Sequence, residues 1–86
     1  MKLVKIQKPN CPACNQVGAF LDDTKVEYEK WDIMGSDDNA DKARELLGKL
    51  GLFTVPVTVV LEGEELVKHS RGFNGGELQE LVDMVK

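Results

Sequence analysis

The stretch Lys8-Pro9-Asn10-Cys11-Pro12-Ala13-Cys14 stands between two regular patterns. Before it, Leu3-Val4-Lys5-Ile6 is partly β-branched and reads as a strand. After it, Val17, Phe20 and Leu21 recur at i, i+3 and i+4, the apolar face of a helix. Pro9-Asn10 is a turn signal that stops the strand. Pro12 suits a first helical turn, where its missing N–H would be unpaired in any case. Cys11 and Cys14, the two cysteines of the chain, therefore fall at the start of that helix. A bridge between them closes so short a loop that it adds little stability. A disulfide-stapled secreted domain would carry more cysteines at wider spacing. The pair points to chemistry.

The rest of the chain extends this β-α opening. Val26 to Ile33 reads as a second strand, with Val26 and Tyr28 on one face and Trp31 and Ile33 on the other. Gly35-Ser36-Asp37-Asp38 is a turn rich in N-cap residues. Ala40, Ala43, Leu46, Leu47 and Leu50 follow helical spacing, and Gly51 supplies the stop. Val57-Thr58-Val59-Val60-Leu61 is the strongest strand pattern, and Pro56 marks its start. Glu62-Gly63-Glu64 is a tight turn into a strand containing Leu66-Val67. Gly72 to Gly76 reads as a glycine-rich loop before a last helix with Leu78, Leu81, Val82 and Val85 on one face. The order is β-α-β-α-β-β-α over residues 1–86, one α/β domain. A strand–helix–strand start implies a parallel pair, and the hairpin adds an antiparallel one. The expected result is a mixed four-stranded sheet flanked by helices.

Composition excludes several classes. With 42% hydrophobic and 30% charged residues, the 86-residue chain is globular in type. Eleven Lys plus Arg against fifteen Asp plus Glu leave a net charge of −4, which argues against nucleic acid as a partner. Unbroken apolar runs are no longer than Val59-Val60-Leu61, far below the roughly 20 residues of a membrane span. Lys5 interrupts the N-terminal apolar residues, so no signal peptide is read there. A cytoplasmic protein is expected.

A cysteine opening a helix faces unpaired backbone N–H groups and the positive end of the dipole. Such placement lowers a thiol pKa from about 8.5 into the range of about 3.5–7.5. The gain in thiolate is largely offset by weaker intrinsic nucleophilicity, leaving about threefold. The larger benefit is to Cys11 as a leaving group when a mixed disulfide resolves. Cys14, one turn further in and more buried, suits the resolving thiol. The competing reading is a metal site. Zinc takes four ligands and this pair supplies two, while the sole histidine, His69, lies far off in a predicted strand. A zinc ion or iron–sulfur cluster bridged between two chains is the alternative.

These residues resemble the thioredoxin superfamily, closest to the glutaredoxins and NrdH-redoxins, over nearly the whole chain. Lys8 to Cys14 is similar to the glutaredoxin active-site segment, and Thr54-Val55-Pro56 to the family's Thr-Val-Pro loop, whose proline is cis. Gly75-Gly76 resembles the paired glycines that help hold glutathione. The chain departs from glutaredoxins where Ala13 replaces a Tyr and Leu78 replaces an Asp, with Glu77 offset by one. Arg71-Gly72-Phe73 partly matches the Ser-Gly-Phe-Arg-Pro segment of NrdH-redoxins, and Asn10 stands where thioredoxins carry Trp. The resemblance implies a thioredoxin-like fold and a monomeric dithiol–disulfide oxidoreductase with Cys11 and Cys14 catalytic. It implies substrate contacts at Lys8, Pro12, Ala13, Thr54, Val55, Pro56, Gly75 and Gly76. No bound cofactor is implied. Electrons would come from glutathione or an NADPH-dependent thioredoxin reductase, and go to protein disulfides, ribonucleotide reductase being one client.

The same residues have plainer readings. Lys8 serves equally as a solvated charge, and Gly75-Gly76 as the turn before the last helix. Trp31 and Tyr28 read as core or sheet-face residues, His69 as a surface residue, and the acidic residues from Asp37 to Asp41 as a solvated helix start.

Overall fold

Leu3 and Val4 are both buried, on opposite faces of one strand. That strand must be covered on both sides, and the arrangement of the other elements follows from it. The structure, a computed structural model, describes residues 1–86. It consists of β1 (Lys2–Gln7), α1 (Pro12–Asp23), β2 (Glu29–Asp32), α2 (Asp38–Leu50), β3 (Val57–Glu62), β4 (Glu65–Arg71) and α3 (Gly75–Val85). The strands lie in the order β2-β1-β3-β4. β1 pairs parallel with β2, β3 pairs antiparallel with β1, and β4 pairs antiparallel with β3. This is the expected thioredoxin-like α/β fold with a mixed four-stranded sheet.

Two apolar clusters cover the two sheet faces. On one, Val4, Ile6, Trp31, Val57, Val59 and Leu61 meet Ala43, Leu46 and Leu47 of α2. On the other, Leu3 and Val60 meet Val17 and Leu21 of α1 and Leu78, Leu81 and Val82 of α3. Alternation along β1 and β3 thus sorts each side chain to one face. Val26 and Tyr28 pack with the second cluster and Ile33 with the first, as their alternation predicts.

Boundaries differ from the sequence reading at two places. The second strand is four residues long, not eight. Lys25 takes a left-handed φ of 59° and donates to Asp22 O at 3.0 Å, so the chain leaves α1 through a tight turn and joins the ladder only at Glu29. Gly75 and Gly76 belong to the first turn of α3 rather than to the loop before it. Asn74 takes the N-cap and accepts from Glu77 N–H at 3.1 Å, which starts the helix earlier than the apolar pattern does. The other ends are as the residues indicate. Asp37 caps α2 through Ala40 N–H at 2.9 Å, and Gly51 ends it at φ 68°. No helix is long and apolar enough to cross a membrane.

Candidate active site

Cys11 is the N-cap of α1. Its backbone is extended (φ −118°, ψ 101°), and its Sγ accepts the backbone N–H of Cys14 at 3.1 Å. A sulfur thus does here what a Ser or Asp oxygen does at most helix starts. Asn10 makes this possible: it turns the chain at a left-handed φ of 57°, a conformation Asn tolerates better than most residues. Pro12 follows at the first helical position. Cys11 and Cys14 are joined by a disulfide, with Cα atoms 5.2 Å apart. Cys11 is 7% exposed and Cys14 2%.

Two other segments reach the same end of the sheet. Ile6 pairs with Val57, so Pro56 stands beside the end of β1 from which the Cys11 loop departs. Pro56 is buried and follows a cis bond from Val55, as the resemblance implies. Thr54 is exposed and Val55 half-buried. Pro56 O accepts from Gly72 N–H at 2.8 Å, which ties the Gly72–Asn74 loop to this proline. Phe53 and Phe73 leave apolar surface exposed, 94% and 50% respectively.

Gly75, in the first turn of α3, faces α1 away from the cysteines. A Cβ there would stand 3.8 Å from the ring of Phe20, nine residues beyond Cys11, and Phe20 also meets Phe73 edge-on at 6.0 Å. Lys8 is exposed and has no ion-pair partner. His69 is exposed on β4. No three His, Cys, Asp or Glu side chains gather as metal ligands would.

The glutaredoxin family model matches residues 3–67. The chain belongs to the glutaredoxin family. It is 34% identical over 84 residues to the SPbeta prophage-derived thioredoxin-like protein YosR of Bacillus subtilis (strain 168), covering 95% of each chain. The crystal structure of the thioredoxin-like protein BC3987 is similar at a TM-score of 0.71 and 30% identity, covering 93% of this chain and 99% of that one. NrdH-redoxin from Escherichia coli shares the fold at a TM-score of 0.73 and 17% identity, covering 94% and 95%. As a glutaredoxin-family protein with a proximal cysteine pair, it is a thiol–disulfide oxidoreductase.

This glutaredoxin-family site contains one residue that the sequence reading took only as an interruption. Lys5 is 4% exposed on the face of β1 that meets α1, and its Nζ donates to Cys14 O at 3.2 Å. Burial pushes its pKa below 10.5; Lys30 acts in the same direction and Asp22 against it. The signal was present in the strand period. Lys5 alternates with the buried Val4 and Ile6 and shares the face of Leu3, which is inward too.

Proposed function

We propose that this protein reduces disulfides in protein substrates, with Cys11 as nucleophile and Cys14 as resolving thiol. The Cys11 thiolate attacks one sulfur of the target disulfide. The target S–S bond breaks, and its electron pair leaves with the other sulfur, which takes up a proton. Cys14 then gives its proton to solvent and attacks Cys11 Sγ. The bond from Cys11 to the target breaks, and the second target sulfur departs as a thiolate that is protonated in turn. The target gains two electrons and two protons, and the Cys11–Cys14 disulfide remains.

The placement of Cys11 Sγ at the helix N-cap carries this reading. A thiolate there meets the positive end of α1 and an N–H donor. Cys14 lies deeper, which suits it to the second step. An extended substrate pairs with the Val55 backbone next to Pro56, and Pro12, Ala13, Thr54 and Lys8 flank it.

The electron source is an NADPH-dependent thioredoxin reductase. Two features favour it. Asn74 already occupies the Glu77 N–H at the start of α3, and the Glu77 carboxylate stands there as a negative charge. A glutathione carboxylate would find that helix start capped and repelled. The relatives YosR and BC3987 are both thioredoxin-like proteins. Glutathione is the second reading, favoured by the glutaredoxin family match.

Coupled NADPH oxidation tests the choice, using insulin disulfides as substrate. Turnover with thioredoxin reductase and little with glutathione plus glutathione reductase is expected. The opposite pattern overturns the electron source, and no turnover in either arm overturns the function.

A further inference from the structure

Lys5 sits in a row of polar residues that crosses the sheet beneath α1 and α3. Register places Lys30, Lys5, Thr58 and Ser70 side by side on four successive strands. Adjacent residues in register project to the same face, here the one otherwise filled by Leu3, Val60 and the apolar residues of α1 and α3. A lone buried ammonium is costly, and a methionine would fill the same space without that cost. The Lys5 ammonium is nevertheless held by one neutral acceptor, Cys14 O. Gly18 makes room for it, since a Cβ there would stand 2.9 Å from Nζ. Glycine inside a helix is itself unfavourable. Two local sacrifices therefore admit a cation against the residue that carries the resolving sulfur.

The surrounding charges do not supply a counter-ion. Asp22 of α1 acts on Lys5 favourably but accepts a hydrogen bond from Tyr28 OH at 2.8 Å. The Tyr28 phenol is held neutral, its pKa pushed up to about 12 by burial and Asp22. Lys30 of β2 repels the ammonium. On β3, Thr58 Oγ1 is buried without a partner. Glu77 of α3 is engaged at the far end of the row by Ser70. Cys14, whose carbonyl oxygen holds the ammonium, can carry a negative charge only in the reduced protein.

We propose that Lys5 is a positioning residue for Cys14, its buried ammonium serving as the counter-charge of the Cys14 thiolate in the resolving step. This rests on the reading of Cys14 as resolving thiol. In the disulfide the cation lacks an anionic partner. When Cys14 loses its proton to solvent, the thiolate forms on the residue whose carbonyl oxygen Lys5 Nζ contacts at 3.2 Å. Its attack on Cys11 Sγ then breaks the bond to the target and releases the target thiolate. Lys5 changes no covalent bond and sets the pH at which this release becomes fast.

The test uses Lys5→Met and Lys5→Gln, each alone and combined with Cys11→Ser. In the Cys11→Ser protein, the thiolate absorbance of Cys14 is followed against pH. Both Lys5 substitutions are expected to move that titration upward, with about a tenfold fall in thiolate fraction at a pH below the midpoint. Release of a target from the mixed disulfide in the protein with both cysteines should slow about threefold, the fall in thiolate being partly offset by higher nucleophilicity. Gly18→Ala, which keeps the charge but crowds Nζ, should move the titration in the same direction. Unchanged titration and release in folded Lys5→Met or Lys5→Gln protein overturns the proposal. The titration requires no turnover. A shifted titration in a protein that fails to reduce insulin supports the Lys5 pairing and overturns the redox function alone.

Discussion

The Ser70 hydroxyl donates to Glu77 Oε1 at 2.9 Å, joining the buried end of β4 to the first turn of α3. The carboxylate thereby stays at the positive end of the helix, where it is favourable to α3 and unfavourable to an incoming anion. Replacing it by an amide tests both effects. Glu77→Gln should lose about 0.3–1 kcal/mol of stability in a urea titration. It should also raise the glutathione-coupled rate by about two- to fivefold while leaving the reductase-coupled rate nearly unchanged. A glutathione rate that falls would show that Glu77 assists that ligand.

The two cysteines should fail in different ways. Cys11→Ser is expected to abolish disulfide reduction. Cys14→Ser should instead trap a mixed disulfide with its target, visible by mass spectrometry as a covalent adduct removed by dithiothreitol. Normal turnover of insulin by Cys14→Ser would sink the dithiol mechanism.

Asn10 holds the turn that delivers Cys11 to the helix start, at φ 57°. Asn10→Gly should be nearly neutral in stability. Asn10→Ile should cost about 1–2 kcal/mol, because a branched Cβ is crowded in the left-handed region. Chemical denaturation of the two variants checks the difference. Equal midpoints would mean that the turn readily adopts another conformation.

Tyr28 makes a prediction at alkaline pH. Burial first, then the hydrogen bond to Asp22 and its charge, push the phenol up to about 12. The folded protein therefore keeps a proton that an unfolded tyrosine gives up near pH 10. The resulting stability is fully present below about pH 10 and is lost as pH rises toward 12. Phenolate absorbance should appear late, and Tyr28→Phe should flatten that part of the decline. Ionisation near pH 10 in the folded state contradicts this.

Most of the fold was legible because its signals are local. The five-residue run Val57 to Leu61 lies wholly within β3 and is buried throughout. Asp37 and Gly51 terminate α2 by capping chemistry that spans only a few residues. The β2 boundary was misread because Val26-Glu27-Tyr28 has strand character while Lys25 directs the backbone away from the ladder until Glu29. The start of α3 was misread because glycines suggest a loop, and the Asn74 cap outweighs that suggestion.

The sequence by itself determined the order of elements and the placement of Cys11 and Cys14 at a helix start. Both follow from periodicity and turn chemistry within a few residues of chain. Only the tertiary structure decided that Lys5 lies buried under Cys14, that Gly75 faces Phe20, and that Ser70 engages Glu77. Those relationships depend on register between strands and on which helix covers which face. A lysine within an alternating strand reads as surface until a helix with a glycine in the right place closes over it.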